Sequence, residues 1–237
     1  MSGAPAAWLL ALFFCTMARA GPLGAPAAPQ YHIAEDGSVS LRICYNSSCR
    51  RTEWLSFSAA EMEGVSALLE LCRSDDLSSR LQRLRIAVWQ MEKLAEAHQP
   101  LLANDRAVNQ DDIALDGHTD CVDNATNTTT YLGILSDLGW LPGWQVGQPR
   151  VRDPLDFNLV HWTATAIDRA TGRQWSVDSW FRPNGHLPFV MPLEAWKEGE
   201  RGWEPPYDRF NPYPRYTEQL CPGEALELAG RGAVGGP

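Results

Sequence analysis

Three side chains in the C-terminal half have the types and the chain order of a nucleophilic catalytic site. Cys121 lies at the start of a predicted helix, His161 opens a predicted strand, and Asp178 lies on the next strand. A thiolate attacks acyl carbons, an imidazole can take the thiol proton and return it to the leaving group, and a carboxylate fixes the imidazole tautomer. The pattern therefore predicts acyl transfer through a thioester.

The predicted position of Cys121 at a helix N-terminus favours the same chemistry. Free N–H groups and partial positive charge collect there, and both favour a thiolate. The backbone N–H of Cys121 is then placed to stabilise an oxyanion. The second oxyanion donor stays open among Gln110, His118 and a tryptophan.

A predicted hairpin brings the histidine and the aspartate together. If its loop is residues 168 to 171, Ile167 lies opposite Gly172, and counting outward puts His161 opposite Asp178. Directly opposed residues point to the same face of a sheet. A five-residue loop would break this alignment, so the prediction depends on the turn.

Hydrophobic periodicity predicts the elements that hold these residues. A capping box, Ser58-x-x-Glu61, opens a helix to about Leu71. A longer helix covers about 77 to 98, and a third runs from Cys121 to a stop at Gly139. Asp36-Gly37 indicates a hairpin turn, with alternation at Val39, Leu41 and Ile43 in the strand after it.

The rest of the chain completes an α+β plan. "EWLSF" is a second candidate strand, and "LVHWTATAID" and "RQWSVDSWF" form the hairpin around the turn "RATG". Residues 140–158 are predicted to be loop, and a short helix is predicted at 193–198. A strand unit, then helices, then a hairpin is typical of α+β folds.

Composition limits the class of protein. The chain has 237 residues with 44% hydrophobic composition, which suits one globular domain with a real core and leaves two small domains as the alternative. Its formal net charge is −9 and its pI about 5.0, with no basic block, so no nucleic-acid partner is expected.

The N-terminus and the cysteines predict a secreted or periplasmic protein. Residues 1–20 have a short apolar run before an A-x-A site, which predicts a signal peptide rather than an integral membrane span. A linker (21–30), a domain (31–200) and a Pro/Gly-rich tail (201–237) follow. Five cysteines then remain, an odd number, so one thiol is left over. Cys44 and Cys49 could bridge, and Cys72 and Cys221 could pair or stay reduced, which is compatible with a free Cys121.

The segments "GHTDCVDNA", a Leu-Gly helix end, "HWTA" and "WSVDSW" resemble the transglutaminase-like superfamily of papain-like cysteine enzymes, especially the bacterial transglutaminase-like cysteine peptidases. The resemblance covers roughly residues 115 to 182. It implies a papain-like core of helices packed on an antiparallel sheet. It also implies Cys121 as nucleophile, His161 as base and Asp178 as the residue that orients the base.

The resemblance also bears on ligands and substrates. Some relatives bind calcium through acids beside the cysteine. Asp120 and Asp123 are the matching candidates here, although Val122 replaces a further acid. No cofactor is required. The expected substrate is a peptide, a protein or a cell-wall peptide, and Trp162, Trp175 and Trp180 are candidates for cleft walls.

Other interpretations stay open. Cys121 could be an inert buried cysteine, or a zinc-type ligand with His118, Asp120 and His161, although the usual zinc-site spacings are missing. A binding module could keep the fold and the triad without catalysis, and a cell-wall amidase is a further alternative. The polar run "NATNTTTYL" in the third helix could line a groove or face water.

Overall fold

Two antiparallel sheets and the helices packed against them make up the part of the chain that the computed structural model describes, which is residues 25–70, 72, 74–106, 114–152 and 160–199. The predicted α+β class is confirmed at this level. The predicted signal peptide (1–20) and the predicted tail (201–237) lie outside the described residues. None of the helices in the described ranges has the length and hydropathy needed to cross a membrane.

The first sheet has three strands in the order β1 (Tyr31–Ile33), β2 (Val39–Tyr45) and β3 (Arg51–Phe57). The predicted turn lies between β1 and β2. There Gly37 has a φ of +85°, a conformation that glycine adopts without strain. The alternating apolar residues of β2 are fully buried, so this sheet turns one face to the core.

The described residues contain four α-helices, which follow the predicted spacing closely, and one short 3₁₀ helix, which the sequence did not predict. They are α1 (Ala59–Leu69), α2 (Leu77–His98), η1 (Pro100–Asn104), α3 (Cys121–Asp137) and α4 (Leu193–Lys197). The Ser58–Glu61 capping box opens α1 as predicted. The N-cap of α2 is Asp76, which accepts a hydrogen bond from the Ser79 N–H.

The second sheet contains two strands that the sequence did not predict. Its order is β4 (Trp144–Arg152), β5 (His161–Asp168), β6 (Gln174–Asp178) and β7 (Phe189–Pro192). The prediction of a continuous loop over 140–158 was wrong because β4 is polar and broken by a register shift between Gly147 and Arg150. Its pairing with β5 outweighs the weak local preference.

Helix α3 lies at the centre of the fold. It contacts β2 of the first sheet, helix α2, and strands β4 and β5 of the second sheet. Thr126, Thr129 and Thr130 are buried, and each donates its hydroxyl to the carbonyl four residues earlier. Burial of this polar run is possible because the helix satisfies its own hydroxyls. These threonines therefore do not face water.

A buried ion pair fastens the β5–β6 turn to helix α2. Asp168 accepts two hydrogen bonds from Arg80, at 2.9 and 3.3 Å, and also accepts from the Ala170 N–H and the Thr171 hydroxyl. These donors, Arg80 foremost, lower the pKa of Asp168 to about 2. The turn that sets the β5–β6 register is thus tied to the core.

We expect Arg80→Gln to lower the free energy of unfolding by about 2 kcal/mol, because it leaves the buried Asp168 carboxylate without its cation. A depressed carboxyl pKa stabilises the fold above about pH 4 and loses that effect as the pH falls to about 2. In urea unfolding measured between pH 2 and 7, the free energy of unfolding should therefore fall less steeply with decreasing pH in the variant. Lys93→Gln, which breaks an exposed pair on the same helix, is the control and should change stability little.

Candidate functional site

Cys121 is the first residue of α3, as the sequence predicted, and two acids complete the helix start. Asp120 is the N-cap and accepts from the N–H groups of Val122 and Asp123, each at 3.0 Å. Asp123 accepts in return from the Asp120 N–H at 3.1 Å. This is a capping box built from two aspartates, and it places the sulfur on the first turn of the helix.

The sulfur of Cys121 lies against the backbone on either side of His161. Its thiol donates to the Val160 carbonyl at 3.8 Å, and the Trp162 N–H donates to the sulfur. Cys121 is the one free cysteine among the residues that the structure describes, and it is partly buried. The predicted nucleophile on α3 and the strand that carries the predicted base, β5, are therefore in contact.

His161 and Asp178 form a buried hydrogen-bonded pair. The Nε2 atom of His161 lies 2.7 Å from Oδ2 of Asp178, and both residues are 2% exposed. The indole N–H of Trp196 donates to the same oxygen at 2.8 Å. The other ring nitrogen of His161, Nδ1, has no hydrogen-bond partner in the described part of the chain.

The register of the hairpin differs from the predicted one by two residues. Ile167 pairs with Gln174 rather than with Gly172, so the loop is "RATG", residues 169 to 172. The direct opposition of His161 and Asp178 was wrong, because the loop begins one residue later than the count assumed. An even shift keeps both side chains on one face, and they meet diagonally across the strands.

Aromatic rings enclose the imidazole of His161. The ring centroids of Trp180, Phe181 and Trp196 lie 4.7, 5.0 and 5.5 Å from that of His161. The guanidinium of Arg152 covers Trp196 at 4.9 Å and donates to its carbonyl at 2.8 Å. Because these rings exclude water, the hydrogen bond to Asp178 lies in a low-dielectric environment.

The three candidate cleft tryptophans have different surroundings. Trp180 contacts His161 directly, and Trp162 is half-buried beside Cys121. Trp175 is buried in the hydrophobic core, where it packs edge-on against Trp144 at 6.5 Å. Sequence reasoning missed Trp196, because its only signal was an aromatic residue on a short helix far along the chain.

The thiol of Cys121 is not acidified by its helix. Burial, and to a smaller extent the negative charges of Asp120 and Asp178, raise its pKa to about 11 against the lowering effect of the Trp162 N–H. The helix N-terminus alone favours a thiolate, but the carboxylate that caps it opposes this effect. The resting cysteine is therefore a neutral thiol.

A disulfide-closed loop braces the start of α3. Cys44 and Cys49 are joined, and the four residues from Asn46 to Cys49 have φ between 54° and 65°, in the left-handed region. Ser48 donates its hydroxyl to Asp120 at 3.0 Å, and the Cys49 N–H donates to Asp123 at 2.5 Å. The disulfide and these hydrogen bonds offset the cost of the left-handed backbone.

Cys72 belongs to a second disulfide. Its partner lies outside the described residues. Cys221, its predicted candidate partner, also lies there, so that pairing stays a prediction.

The two candidate calcium ligands are already engaged by the protein. Asp123 is fully buried and accepts N–H groups from Cys49, Asp120 and Ser47, while burial raises its pKa to about 7. Asp120 accepts from Val122, Asp123 and Ser48. Calcium binding would have to displace these hydrogen bonds.

The rival zinc site does not come together. Within the described ranges, one group of three potential ligands lies close together, namely Cys44, Cys49 and Asp123. The two sulfurs of that group are joined in a disulfide and cannot act as thiolate ligands. The predicted set of His118, Asp120, Cys121 and His161 forms no such group.

His118 is a fixed part of the loop rather than a donor to an oxyanion. Its Nδ1 contacts the Leu115 carbonyl and its Nε2 lies 2.9 Å from the Ser47 hydroxyl. A carbonyl accepts only, so Nδ1 carries the proton and Nε2 accepts from Ser47 while the ring is neutral. Gln110, the other named candidate, lies outside the described residues.

A chain of buried polar side chains lies beside the His161–Asp178 pair. Ser179 donates to Asn124 at 2.8 Å, Asn124 to Thr119 at 2.6 Å, and Thr119 to Asp105 at 2.8 Å. Ser179 follows Asp178 directly, so the chain links the end of β6 to α3 and to the segment before it. Burial raises the pKa of Glu92, which accepts from the Gly185 N–H at 3.0 Å in the same region.

Comparison with known proteins identified no related protein. No protein-family model matches the chain, and no curated protein or solved structure is significantly similar to it. The resemblance to transglutaminase-like enzymes thus depends on the sequence motifs alone.

Alkylation of Cys121 by iodoacetamide should accelerate about tenfold per pH unit through neutral pH without a plateau, because the thiol pKa is raised to about 11. Asp120→Asn keeps an N-cap oxygen but removes one negative charge. We therefore expect about two- to tenfold faster alkylation of this variant at pH 8. Asp137→Asn, about 24 Å away at the other end of α3, is the control. A plateau near neutral pH in the unmodified sequence would contradict this account.

We expect His161 and His118 to occupy opposite neutral tautomers. His161 should carry its proton on Nε2, where Asp178 accepts, and His118 on Nδ1, where the Leu115 carbonyl accepts. Nitrogen-15 NMR of the imidazoles at pH 8 distinguishes the two forms. Asp178→Asn should remove the preference at His161 and leave His118 unchanged. Identical tautomers in the two residues would disagree with the assigned hydrogen bonds.

Proposed function

We propose that the protein is a cysteine-dependent acyl-transfer enzyme that hydrolyses a peptide or amide bond through a thioester, on a papain-like, transglutaminase-like core. One observation carries the proposal. His161 is held through Nε2 by a buried carboxylate, its Nδ1 is unpartnered, and the neighbouring backbone contacts the only free thiol of the described chain. A structural histidine in the same enclosure would be expected to use both nitrogens.

The chemical steps follow from these assignments. As the Cys121 sulfur attacks the carbonyl carbon, His161 takes the thiol proton on Nδ1, and that proton then goes to the departing amine. In the second half, His161 takes a proton from the water that attacks the thioester, and it returns this proton to the departing sulfur as the acid is released. The raised thiol pKa favours proton transfer during attack rather than a preformed thiolate.

Asp178 and Trp196 support the histidine in these steps. The Asp178 carboxylate stabilises the imidazolium that forms when Nδ1 is protonated. The Trp196 indole N–H holds that carboxylate in place, so Trp196 is a positioning residue. The Cys121 N–H is the first oxyanion donor, as the first N–H of α3 has no partner within the helix.

The proposed substrate is a peptide, a protein loop or a cell-wall peptide met outside the cytoplasm. The disulfide between Cys44 and Cys49, together with the bonded Cys72, fits an oxidising compartment. This supports the predicted signal peptide and a secreted or periplasmic location. The proposal does not depend on residues 201–237.

The proposal is tested by incubating the full chain with a peptide library, and separately with purified peptidoglycan, and identifying products by mass spectrometry. Added water marks hydrolysis, an isopeptide bond marks cross-linking, and peptidoglycan products alone would indicate the amidase alternative. Cys121→Ala should abolish the products, and Asp178→Asn should lower turnover by about 10² to 10⁴. Unchanged products from Cys121→Ala would refute the proposal.

Trp196→Phe tests the positioning role, because it keeps an aromatic ring and removes the N–H to Asp178, together with part of the buried ring volume. We expect about tenfold slower turnover with KM nearly unchanged. Trp54→Phe, the same change at an exposed site on β3, should leave both constants unchanged.

A binding module is the second candidate function, and the raised thiol pKa favours it. In that case Cys121 would stay unreactive with every acyl substrate, while Cys121→Ala would bind a peptide ligand as tightly as the unmodified chain. A thioester adduct on the Cys121 peptide, trapped by acid quenching, would exclude a purely binding role.

A further inference from the structure

A cavity of about 370 Å³ lies between the disulfide-closed loop and the segment that leads into α3. The described residues that line it are Asn46, Arg50, Arg51, Ala114, Leu115, Asp116 and His118. This volume is in the range of small-molecule sites. His118 precedes Cys121 by three residues, which places the two Cα atoms at most about 11 Å apart. One residue of the cavity wall therefore lies within about 11 Å of Cys121, measured between Cα atoms.

Most polar groups in this lining already have partners. Asn46 donates to Asp116 at 2.5 Å and accepts from the Gly117 N–H at 2.7 Å. Both ring nitrogens of His118 are in use, and Arg51 pairs with Asp116 at 3.0 Å. These groups shape the wall and leave little hydrogen-bonding capacity for a ligand.

Arg50 is the exception. Its Nε donates to the Asn46 carbonyl at 2.8 Å, and no acidic side chain in the described structure pairs with it. Its terminal NH₂ groups, which form the planar fork that suits a carboxylate, make no described hydrogen bond. With Arg51 neutralised by Asp116, the lining carries one uncompensated positive charge.

The backbone around Arg50 is preorganised. The disulfide, the hydrogen bonds to the start of α3 and the Asn46 carbonyl hold the residues before it. On the facing side, Gly117 has a φ of +97°, and a Cβ there would overlap the Leu101 backbone. The hydrogen bond from Nε to the Asn46 carbonyl reduces the conformational freedom that the exposed Arg50 side chain loses on binding.

We propose that this cavity is a carboxylate subsite that binds one acidic group of the ligand through Arg50. One positive charge on a planar fork matches a single carboxylate better than a phosphate dianion. The carboxylate belongs to an acidic side chain or to a free C-terminus. Only the assignment of this group to a substrate depends on the proposed function.

The test uses ¹⁵N-labelled full-length Cys121→Ala protein, so binding is measured without turnover. Two probes each carry one carboxylate: N-acetyl-glutamate methylamide on its side chain and N-acetyl-alanine at its terminus. N-acetyl-glutamine methylamide and N-acetyl-alanine amide are their uncharged counterparts. We expect either acid to shift the backbone N–H resonances of residues 46–50 and 115–118. The concentrations needed should be about three- to tenfold below those of the uncharged counterpart. The acid that binds more tightly identifies the source of the carboxylate.

If the assignment is right, two variants should weaken carboxylate binding and a third should strengthen it. Arg50→Gln should weaken acid binding about three- to tenfold, and Arg50→Lys should keep part of it. Asp116→Asn should strengthen binding, because it releases Arg51. Arg42→Gln, which removes an arginine on β2 outside the cavity lining, is the control. The ¹⁵N spectrum of each variant shows directly whether it is folded.

Equal binding of acids and amides would overturn the proposal, as would an Arg50→Gln effect no larger than that of Arg42→Gln. These outcomes are separable from those of the enzyme proposal. An active enzyme that is indifferent to Arg50 refutes the subsite alone. Arg50-dependent binding by a chain without turnover refutes the enzyme alone.

Discussion

The capping box formed by Asp120 and Asp123 is the interaction on which the site depends. It satisfies the free N–H groups at the start of α3, a helix buried on nearly every side and in need of a polar partner there. The same two carboxylates accept hydrogen bonds from the disulfide-closed loop. One pair of acids therefore fixes the helix start, the loop and the position of the sulfur together.

That arrangement has an electrostatic consequence for Cys121. A bare helix N-terminus would lower the thiol pKa, but here carboxylate charge lies beside it and burial acts in the same direction as that charge. The carboxylate that stabilises the start of the helix therefore also disfavours a thiolate at Cys121. Any nucleophilic role of Cys121 then depends on the proton acceptor across from it, which increases the importance of His161.

His161 in turn depends on groups brought from three elements of the second sheet region. Strand β6 supplies Asp178, the turn after it supplies Trp180 and Phe181, and α4 supplies Trp196. The rings exclude water, and the two hydrogen bonds to one carboxylate oxygen hold the pair in register. In a low-dielectric enclosure such bonds are stronger than in water, and leaving either partner unpaired is correspondingly costly.

The sequence by itself determined the helices, their starts and the order of Cys121, His161 and Asp178, because capping and hydrophobic periodicity act between residues close in the chain. It left β4 and β7 unpredicted, since their pairing with neighbours, rather than local preference, makes them strands. Tertiary structure alone decided the two-residue register shift, the role of Trp196, the contact between the Cys44–Cys49 loop and α3, and the raised thiol pKa. These properties depend on desolvation and on contacts between residues far apart in the chain, for which local spacing carries no signal.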